Sequence, residues 1–454
     1  MRPVKRLLKR LAKILLALFL LAVCAGLVWL YTMPPDLLRV GSGYAAKIVC
    51  SNVFLAGRDE NEVLADDVQA PGHPLLRLMR VSVDRQAQRV SAALLGQIAP
   101  SSAVYRAGLG CAVVPQGAEA AELGTIAMAP PSGAQANAAW PFGNEVQPQA
   151  AAAALLERDD LVGPGFRAVV VVKNGAIVAE RYRPGFTANT PLLGWSMTKT
   201  VNAALIGRLL AEGRMKLDDR NLMRQWAGDA RREITLAQLL AMESGLAFNE
   251  DYGTVADVTR MLYLEPDMAA FTASLPLDGK PGERFNYSSG TAVLLSRIWM
   301  DRLGDRSTAL AFPKDALFGP LGMRSAVMEA DASGTFVGSS YLYANARDWA
   351  RFGLLLAQDG VWNGERLLPE GFVAAMSQPT TASGGRYSRM QTWLPRPSDR
   401  AELPADTFNL QGHDGQSVTV IPSEGIVIVR LGLSPWWTGY SPSALSKEVV
   451  KTLR

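Results

Sequence analysis

The sequence contains few of the side chains that bind transition metals. Its 454 residues include two histidines and three cysteines, and no Cys-x-x-Cys pair occurs. A zinc site in a protein uses several histidine or cysteine ligands at short spacings, so the sequence predicts no metal site. A glycine-rich phosphate loop is also absent, and the net charge of +4 is small for this length. We therefore expect no metal, no cofactor and no nucleic-acid partner.

Charged residues are absent from residues 14–33, and nearly all of these residues are apolar. About twenty apolar residues span a bilayer as a helix. The preceding residues 1–13 are basic, and the positive-inside rule keeps a basic tail in the cytoplasm. We predict a cytoplasmic tail at 1–13, a transmembrane signal anchor at 14–33 and export of the remaining chain. A cleaved signal peptide is the alternative.

One of the three cysteines lies inside this span, and the other two follow it. Cys24 lies inside it, which leaves Cys50 and Cys111 in the exported part of the chain. Disulfides form and persist outside the cytosol, so we expect a bridge between Cys50 and Cys111. Two free buried thiols are the alternative.

Residues 34–115 are predicted to form a small exported module without chemistry of its own. Residues 75–98 have helical or mixed periodicity, and residues 108–114 are typical of a strand. The module could serve as a spacer, as a wall of a substrate channel or as a packing partner for the following domain. Residues 116–150 are rich in alanine, proline, glycine and glutamine, and are predicted to be a linker or strap.

Regular strand patterns stand at both ends of residues 151–454. Residues 167–173 and 176–182 are β-rich runs joined by an Asn-Gly pair, which is a strong hairpin signal. Residues 417–421 and 426–431 are again typical of strands, and a long, mostly helical region separates the two pairs. This pattern predicts an α+β domain in which one antiparallel sheet is closed by the two chain ends, beside a helical subdomain.

A Ser-x-x-Lys motif at Ser196 and Lys199 precedes an apolar run that predicts a buried helix. Residues three apart share one face of a helix, so Lys199 is expected beside Ser196. A serine hydroxyl is a poor nucleophile until a base takes its proton, and a lysine amine removed from water can take it. The ordinary alternative is a capping serine followed by a solvated lysine.

Two further stretches carry candidate site residues. Residues 285–290 precede a helical run, and there Tyr287 could share a proton with a nearby lysine while Ser289 joins the same network. Residues 412–416 enter a predicted strand, and a glycine at such a place lets the backbone approach a ligand closely. The alternatives are a buried tyrosine with turn serines and a β-bulge with a structural histidine.

The chain order Ser-x-x-Lys, Tyr-x-Ser and His-x-Gly resembles the serine β-lactamase and penicillin-binding-protein superfamily. It is most similar to the class C-like branch, which includes esterases, D-amino-acid peptidases and 6-aminohexanoate-dimer hydrolases. The resemblance covers residues 160–445 and includes residues 239–246 and 346–356. The N-terminal region is similar to that of a bacterial subgroup of serine hydrolases. This implies a single-pass protein of the bacterial inner membrane, with its catalytic domain in the periplasm or outside the cell.

The resemblance implies a role for each matching residue. Ser196 would be the nucleophile that accepts the acyl group, Lys199 the base that activates it, and Tyr287 a member of the proton relay. The oxyanion hole would consist of the backbone N–H groups of Ser196 and Gln416, which are fixed donors aimed at developing negative charge.

Other matching positions are expected to bind substrate. In the oligomer-hydrolase branch an aspartate and a tyrosine hold the substrate amide, and the nearest candidates in this sequence are Asp257 and Tyr252. The full set of expected substrate-binding residues is Ser289, His413, Gly415, Tyr252, Asp257 and Trp393. Ser289 replaces the usual asparagine of the second motif, and His413 replaces the lysine of the third, which removes a permanent cation at neutral pH. Both departures favour an esterase or amidase.

The sequence thus predicts a membrane-anchored, exported serine hydrolase that cleaves a small amide or ester. A cell-wall D,D-peptidase or weak β-lactamase is one alternative, and a catalytically silent binding protein is another. The nucleophile elbow of an α/β-hydrolase is excluded because the second glycine of Gly-x-Ser-x-Gly is missing around Ser196. No oligomeric state is predicted.

Overall fold

The structure is a computed structural model that describes residues 2–115, 117–123 and 138–454. Met1 lies outside the described residues, and so does part of the predicted strap at 116–150. The first helix, α1, covers Arg2–Thr32. Its residues Arg6–Thr32 are long and apolar enough to cross a membrane or to serve as a signal sequence, and they are not buried in the protein.

The N-terminal module places one long helix on a four-stranded antiparallel sheet. Its elements are α2 (Asp36–Ala56), α3 (Glu60–Val63), a π-helical turn (Leu64–Gln69), a 3-10 turn (Pro74–Leu78), β1 (Met79–Asp84), β2 (Arg89–Leu94), β3 (Ile98–Arg106) and β4 (Gly110–Val114). The strands pair in the order β1-β2-β3-β4, and α2 packs on β2 and β3. The predicted helical or mixed character of residues 75–98 is wrong. Met79, Val81 and Val83 alternate with polar residues at the period of a strand.

The second part of the chain has its longest strands near its two ends and most of its helices between them. It comprises α4 (Ala150–Leu156), α5 (Asp159–Val162), β5 (Phe166–Lys173), β6 (Ala176–Tyr182), β7 (Leu192–Leu193), α6 (Thr198–Ala211), α7 (Leu236–Leu240), α8 (Asp257–Tyr263), α9 (Met268–Ser274), α10 (Ser289–Leu303), α11 (Arg306–Pro313), α12 (Gly319–Leu321), β8 (Val327–Met328), β9 (Leu342–Ala344), α13 (Ala346–Ala357), β10 (Val361–Trp362), β11 (Glu365–Arg366), α14 (Phe372–Ser377), β12 (Phe408–Gly412), β13 (Gln416–Ile421), β14 (Ile426–Gly432) and α15 (Pro442–Leu453).

One antiparallel sheet joins the two ends of this domain in the order β12-β13-β14-β5-β6. Strand β14 pairs with β5 from Ile426 opposite Lys173 onwards, so the predicted closure of the sheet by the chain ends is confirmed. The predicted hairpin is also present, with Lys173 opposite Ala176. Helix α13 covers one face of the sheet, and α15 with α4 covers the other. The expected α+β architecture is therefore the observed one.

Buried ion pairs fasten the module to this domain. The Lys47 ammonium on α2 contacts the Glu329 carboxylate, and both side chains are almost fully buried. Arg167 on β5 makes two hydrogen bonds, of 2.6 and 2.8 Å, to the Asp67 carboxylate of the module. Breaking such buried pairs by removing one partner is costly because it leaves an unpaired charge out of water. The module is thus packed on the domain over its length rather than tethered to it.

A disulfide joins Cys50 on α2 to Cys111 on β4. The backbone N–H of Cys111 donates a 2.6 Å hydrogen bond to Glu329, so the disulfide and the buried ion pair lie side by side. Cys24, in α1, is exposed and free. The pairing found is the one expected from the sequence.

Candidate active site

Ser196 lies in a tight turn immediately before α6. Residues Trp195–Met197 form one 3-10 turn, and Trp195 has a φ of 49°, which is rare for an aromatic residue. The turn is held by Thr198, whose hydroxyl donates a 2.7 Å hydrogen bond to the Trp195 carbonyl. Strained backbone of this kind persists only where its surroundings fix it, and it clusters at functional sites. The turn leaves Ser196 half-buried, and its side chain faces a cavity.

Lys199 is almost fully buried and lies one turn after Ser196 on α6. Its Nζ donates hydrogen bonds of 3.0 Å to Ser196 Oγ, 3.1 Å to Ser289 Oγ and 3.0 Å to the Ser339 carbonyl. Contacts with three oxygen atoms fix the direction of the Lys199 side chain. The spacing in the sequence thus places the amine against the hydroxyl, as the Ser-x-x-Lys pattern predicts.

Tyr287 meets Lys199 through its ring. The Lys199 Nζ lies over the ring of Tyr287, 4.7 Å from the centroid, which is a cation–π contact. The same ring packs on Trp393 at 5.1 Å between centroids. Ser288, between Tyr287 and Ser289, caps α10 by accepting a hydrogen bond from the backbone N–H of Thr291. This cap sets the first turn of the helix and directs Ser289 to the lysine.

Glu250 completes the network and was missed by the sequence analysis. Its carboxylate accepts a 2.5 Å hydrogen bond from Ser289 Oγ and one of 2.7 Å from the Ser289 backbone N–H. It also accepts a 3.1 Å hydrogen bond from the Tyr252 hydroxyl. The only signal in the sequence was its position two residues before Tyr252. A carboxylate therefore lies one hydroxyl group away from the Lys199 amine.

The third motif packs directly on the turn that carries Ser196. A Cβ atom added to Gly412 would lie 2.3 Å from the Gly194 carbonyl oxygen, so only glycine permits this approach. His413 follows, half-exposed, with its Nε2 3.4 Å from a carboxylate oxygen of Asp414. Burial raises the pKa of Asp414 above its ordinary value, and the neighbouring His413 opposes that shift.

Gln416 and Gly415 lie behind the cavity. The Gln416 side chain accepts a 2.9 Å hydrogen bond from the Gly432 backbone N–H, which fixes it to the neighbouring strand β14. Its backbone stands opposite Gly412 at the start of β13, and β13 contacts the Ser196 turn. A Cβ at Gly415 would face Tyr440 and Arg430 rather than the cavity. Gly415 thus shapes the turn and is not placed against a substrate.

The cavity beside Ser196 has a volume of about 550 Å³. The domain contributes Ser196, Trp195, Glu250, Tyr252, Gly253, Thr259, Tyr263, Tyr287, Trp393, Gln411, Gly412, His413, Asp414, Trp436 and Trp437 to its lining. The N-terminal module contributes Leu37, Leu38, Val40, Gly41, Tyr44, Pro71, Gly72, His73, Leu75, Leu76 and Met79. Residues of the N-terminal module therefore form one side of the cavity.

Of the residues expected to bind substrate, Tyr252, His413 and Trp393 line this cavity, and Ser289 lies just behind it on Lys199. Asp257 does not reach the cavity. Its carboxylate accepts a 2.9 Å hydrogen bond from the Asn249 backbone N–H at the start of α8, so it is used to shape the loop. Tyr252 instead stacks on His413 at 6.1 Å between ring centroids.

Comparison with known proteins relates this chain to described hydrolases. A family model described as Beta-lactamase matches residues 159–432. A 6-aminohexanoate-dimer hydrolase of Paenarthrobacter ureafaciens is 27% identical over 300 residues, which cover 59% of this chain and 72% of that protein.

Two solved structures share the fold. A penicillin-binding protein homolog from Caulobacter crescentus has a TM-score of 0.52 at 17% identity, covering 68% of this chain and 99% of that one. A family VIII carboxylesterase has a TM-score of 0.53 at 15% identity, covering 67% and 99%. The family-model match at residues 159–432 includes the Ser196 turn and begins after the N-terminal module.

Proposed function

The chain belongs to the beta-lactamase family of serine hydrolases, and from this premise we propose that it cleaves a small amide or ester through an acyl-enzyme on Ser196. The observation that carries the proposal is the 3.0 Å hydrogen bond between Lys199 Nζ and Ser196 Oγ at the floor of the cavity. This distance lies within the reach over which a base can take a proton directly from a nucleophile.

Acylation begins when Ser196 Oγ attacks the substrate carbonyl carbon and its proton passes to Lys199 Nζ. The C=O electron pair moves onto oxygen, and the backbone N–H groups of Ser196 and Gln416 stabilise that charge. The intermediate collapses, the C–O or C–N bond breaks, and Lys199 returns the proton to the leaving group. Water then attacks the acyl-enzyme, loses a proton to Lys199, and releases the acid while Ser196 regains its proton.

Glu250 and Ser289 act as positioning residues in this scheme. Ser289 contacts the lysine, and Glu250 holds Ser289 by two hydrogen bonds. Tyr287 covers the amine with its ring face, and its part in the proton relay is what the family resemblance implies. His413, Tyr252 and Trp393 would contact the substrate across the cavity.

Anchoring and export belong to the same proposal. We place α1 in the bacterial inner membrane and the catalytic domain in the periplasm. Support comes from the length and apolar character of Arg6–Thr32 and from the disulfide between Cys50 and Cys111, which suits an oxidising compartment.

A cell-wall D,D-peptidase or weak β-lactamase is the second candidate, since penicillin-binding proteins share the fold. His413 stands against it because a histidine is mostly uncharged at neutral pH and binds a substrate carboxylate less well than lysine. A silent binding protein is a third candidate. It does not account for the contact between Lys199 and Ser196 at an open cavity.

The test is the intact mass of the full chain in detergent after exposure to a nitrophenyl ester and, separately, to a penicillin, with Ser196→Ala as control. We expect an acyl adduct or turnover with the ester that the variant lacks. A stable penicillin adduct would favour the peptidase. An unmodified mass and no turnover with both reagents would contradict an enzymatic role.

A further inference from the structure

The module residues that line the cavity begin five residues after the candidate membrane helix ends. Helix α1 ends at Thr32, α2 begins at Asp36, and Leu37 already lines the cavity. Five residues of fully extended chain span at most about 18 Å. Leu30, near the end of α1, also packs against the main core, so α1 leaves the protein body close to this wall. With α1 in a bilayer, the cavity lies next to the membrane surface.

The rim of the cavity carries large apolar side chains that face outward. Trp436 is 84% exposed and Trp437 is 59% exposed, and both line the cavity together with Leu37, which is 42% exposed. Exposed tryptophan pairs are unusual on a surface that meets only water. Tryptophan prefers the interface of a bilayer, where its ring meets lipid and its N–H meets water. The rim therefore has the composition of a membrane-contacting surface.

The interior of the cavity is polar at one end and apolar along the wall that the module supplies. Glu250, His413 and Asp414 lie in the part that the catalytic domain contributes. The opposite wall presents Leu38, Val40, Leu75, Leu76 and Met79. About 550 Å³ lies within the usual range of roughly 300–1,000 Å³ for ligand pockets. A short polar substrate would leave the apolar wall in contact with water, whereas a hydrocarbon chain would cover it.

We propose that the mouth of the cavity faces the bilayer surface and that the substrate is a fatty-acyl ester or amide held in the membrane. Its carbonyl carbon reaches Ser196 while its acyl chain lies along the wall formed by α2 and residues 71–79. This rests on the proposed acyl-enzyme mechanism. Ser196 takes the acyl group, the alcohol or amine leaves with the proton from Lys199, and water releases the fatty acid.

The test uses the full chain reconstituted in vesicles of phosphatidylcholine and phosphatidylglycerol, with nitrophenyl butyrate, octanoate and dodecanoate as probes. We expect kcat/KM to rise by roughly threefold to fourfold per added methylene until the cavity is filled. The double variant Trp436→Ser with Trp437→Ser should lower kcat/KM for the dodecanoate at least tenfold more than for the butyrate. Ser196→Ala should abolish both activities.

Phe142→Ser is the matched control, because Phe142 is 57% exposed and packs on Trp362 away from the cavity. It should leave the dodecanoate-to-butyrate ratio unchanged. Cleavage of butyrate without a gain from chain length, or a ratio that the tryptophan variant does not change, would overturn this inference and leave the proposed function intact. No turnover of any ester and no label on Ser196 would overturn both.

Discussion

Two buried lysines in this protein each donate a hydrogen bond to a serine three or four residues before or after them in the chain. Lys199 meets Ser196 at 3.0 Å on the α6 side, and Lys47 meets Ser51 at 2.8 Å on α2. The difference lies in what surrounds them. Ser196 opens onto a cavity, whereas Ser51 is fully buried and donates a 2.8 Å hydrogen bond to Glu329.

The two serine–lysine pairs differ in their surroundings, and we expect only the pair that opens onto the cavity to be reactive. Burial lowers the pKa of Lys47, and the adjoining Glu329 carboxylate opposes that shift by pairing directly with the ammonium group. Lys199 instead contacts hydroxyl and carbonyl oxygens, with the Glu250 carboxylate one group further away. We expect the directly paired lysine to contribute to stability and the lysine held by hydroxyl and carbonyl groups to take part in the proposed reaction.

The largest expected effect separates the two serines. Ser196→Ala should lower kcat/KM for a nitrophenyl ester by at least about 10³-fold, because the bond to the acyl group cannot form. Ser51→Ala should keep hydrolysis within about twofold, since that hydroxyl has no access to substrate. Steady-state kinetics of both variants measure these changes. Equal losses of kcat/KM would contradict the distinction between the two serines.

The next effect concerns stability rather than chemistry. Lys47→Met should lower the free energy of unfolding by about 3–5 kcal/mol, because it leaves the Glu329 carboxylate buried without its cation. Adding Glu329→Gln should restore part of that loss, because the unpaired charge is removed. Urea unfolding of the full chain in detergent provides the measurement. A double variant less stable than the single one would argue against a charge-pairing role.

A smaller loss of stability is expected from the neighbouring disulfide. Replacing Cys50 and Cys111 by serine opens a covalent loop whose ends are 61 residues apart, and should cost about 2–4 kcal/mol. Labelling of Ser196 by a nitrophenyl ester should persist, since the reacting groups come from the other part of the chain. Thermal unfolding with and without reductant checks the first statement, and intact mass checks the second.

The smallest effect refines the role of Lys199. Glu250→Gln should lower kcat by about tenfold to a hundredfold, because an amide cannot accept both hydrogen bonds from Ser289 and the lysine loses its alignment. The pH profile of kcat should shift as well, which a purely structural substitution would not produce. Asp251→Asn is the matched control, since that exposed carboxylate accepts a hydrogen bond from the Gly253 N–H beside the site. Equal effects of the two variants on kcat would contradict a role for Glu250 in aligning Lys199.

Short-range patterns made the catalytic side of the molecule predictable. The Asn-Gly hairpin, the one-turn spacing of Ser196 and Lys199, and the strand after Gly415 each depend on residues close in sequence. The closure of β14 on β5 followed from placing strands at both ends of a domain. These features are set by local backbone preferences and by the need to bury one sheet in one core.

Long-range packing decided what the sequence could not predict. Glu250 reaches Ser289 because a loop folds over α10, and no spacing in the chain encodes that approach. Asp257 was expected to contact substrate but is used by the turn before α8. The position of the α2 wall depends on contacts between segments at least 100 residues apart, such as Asp67 with Arg167 and Lys47 with Glu329.

Two segments of the chain form the cavity. Every reacting group comes from residues after 150, and the apolar wall comes from residues 37–79, which the buried pair of Lys47 with Glu329 holds in place. The groups proposed to react and the apolar wall proposed to hold the acyl chain therefore belong to separate segments of the chain. If the proposed function holds, we expect exchange of the N-terminal segment to change the preferred acyl chain while the proposed reacting groups stay the same.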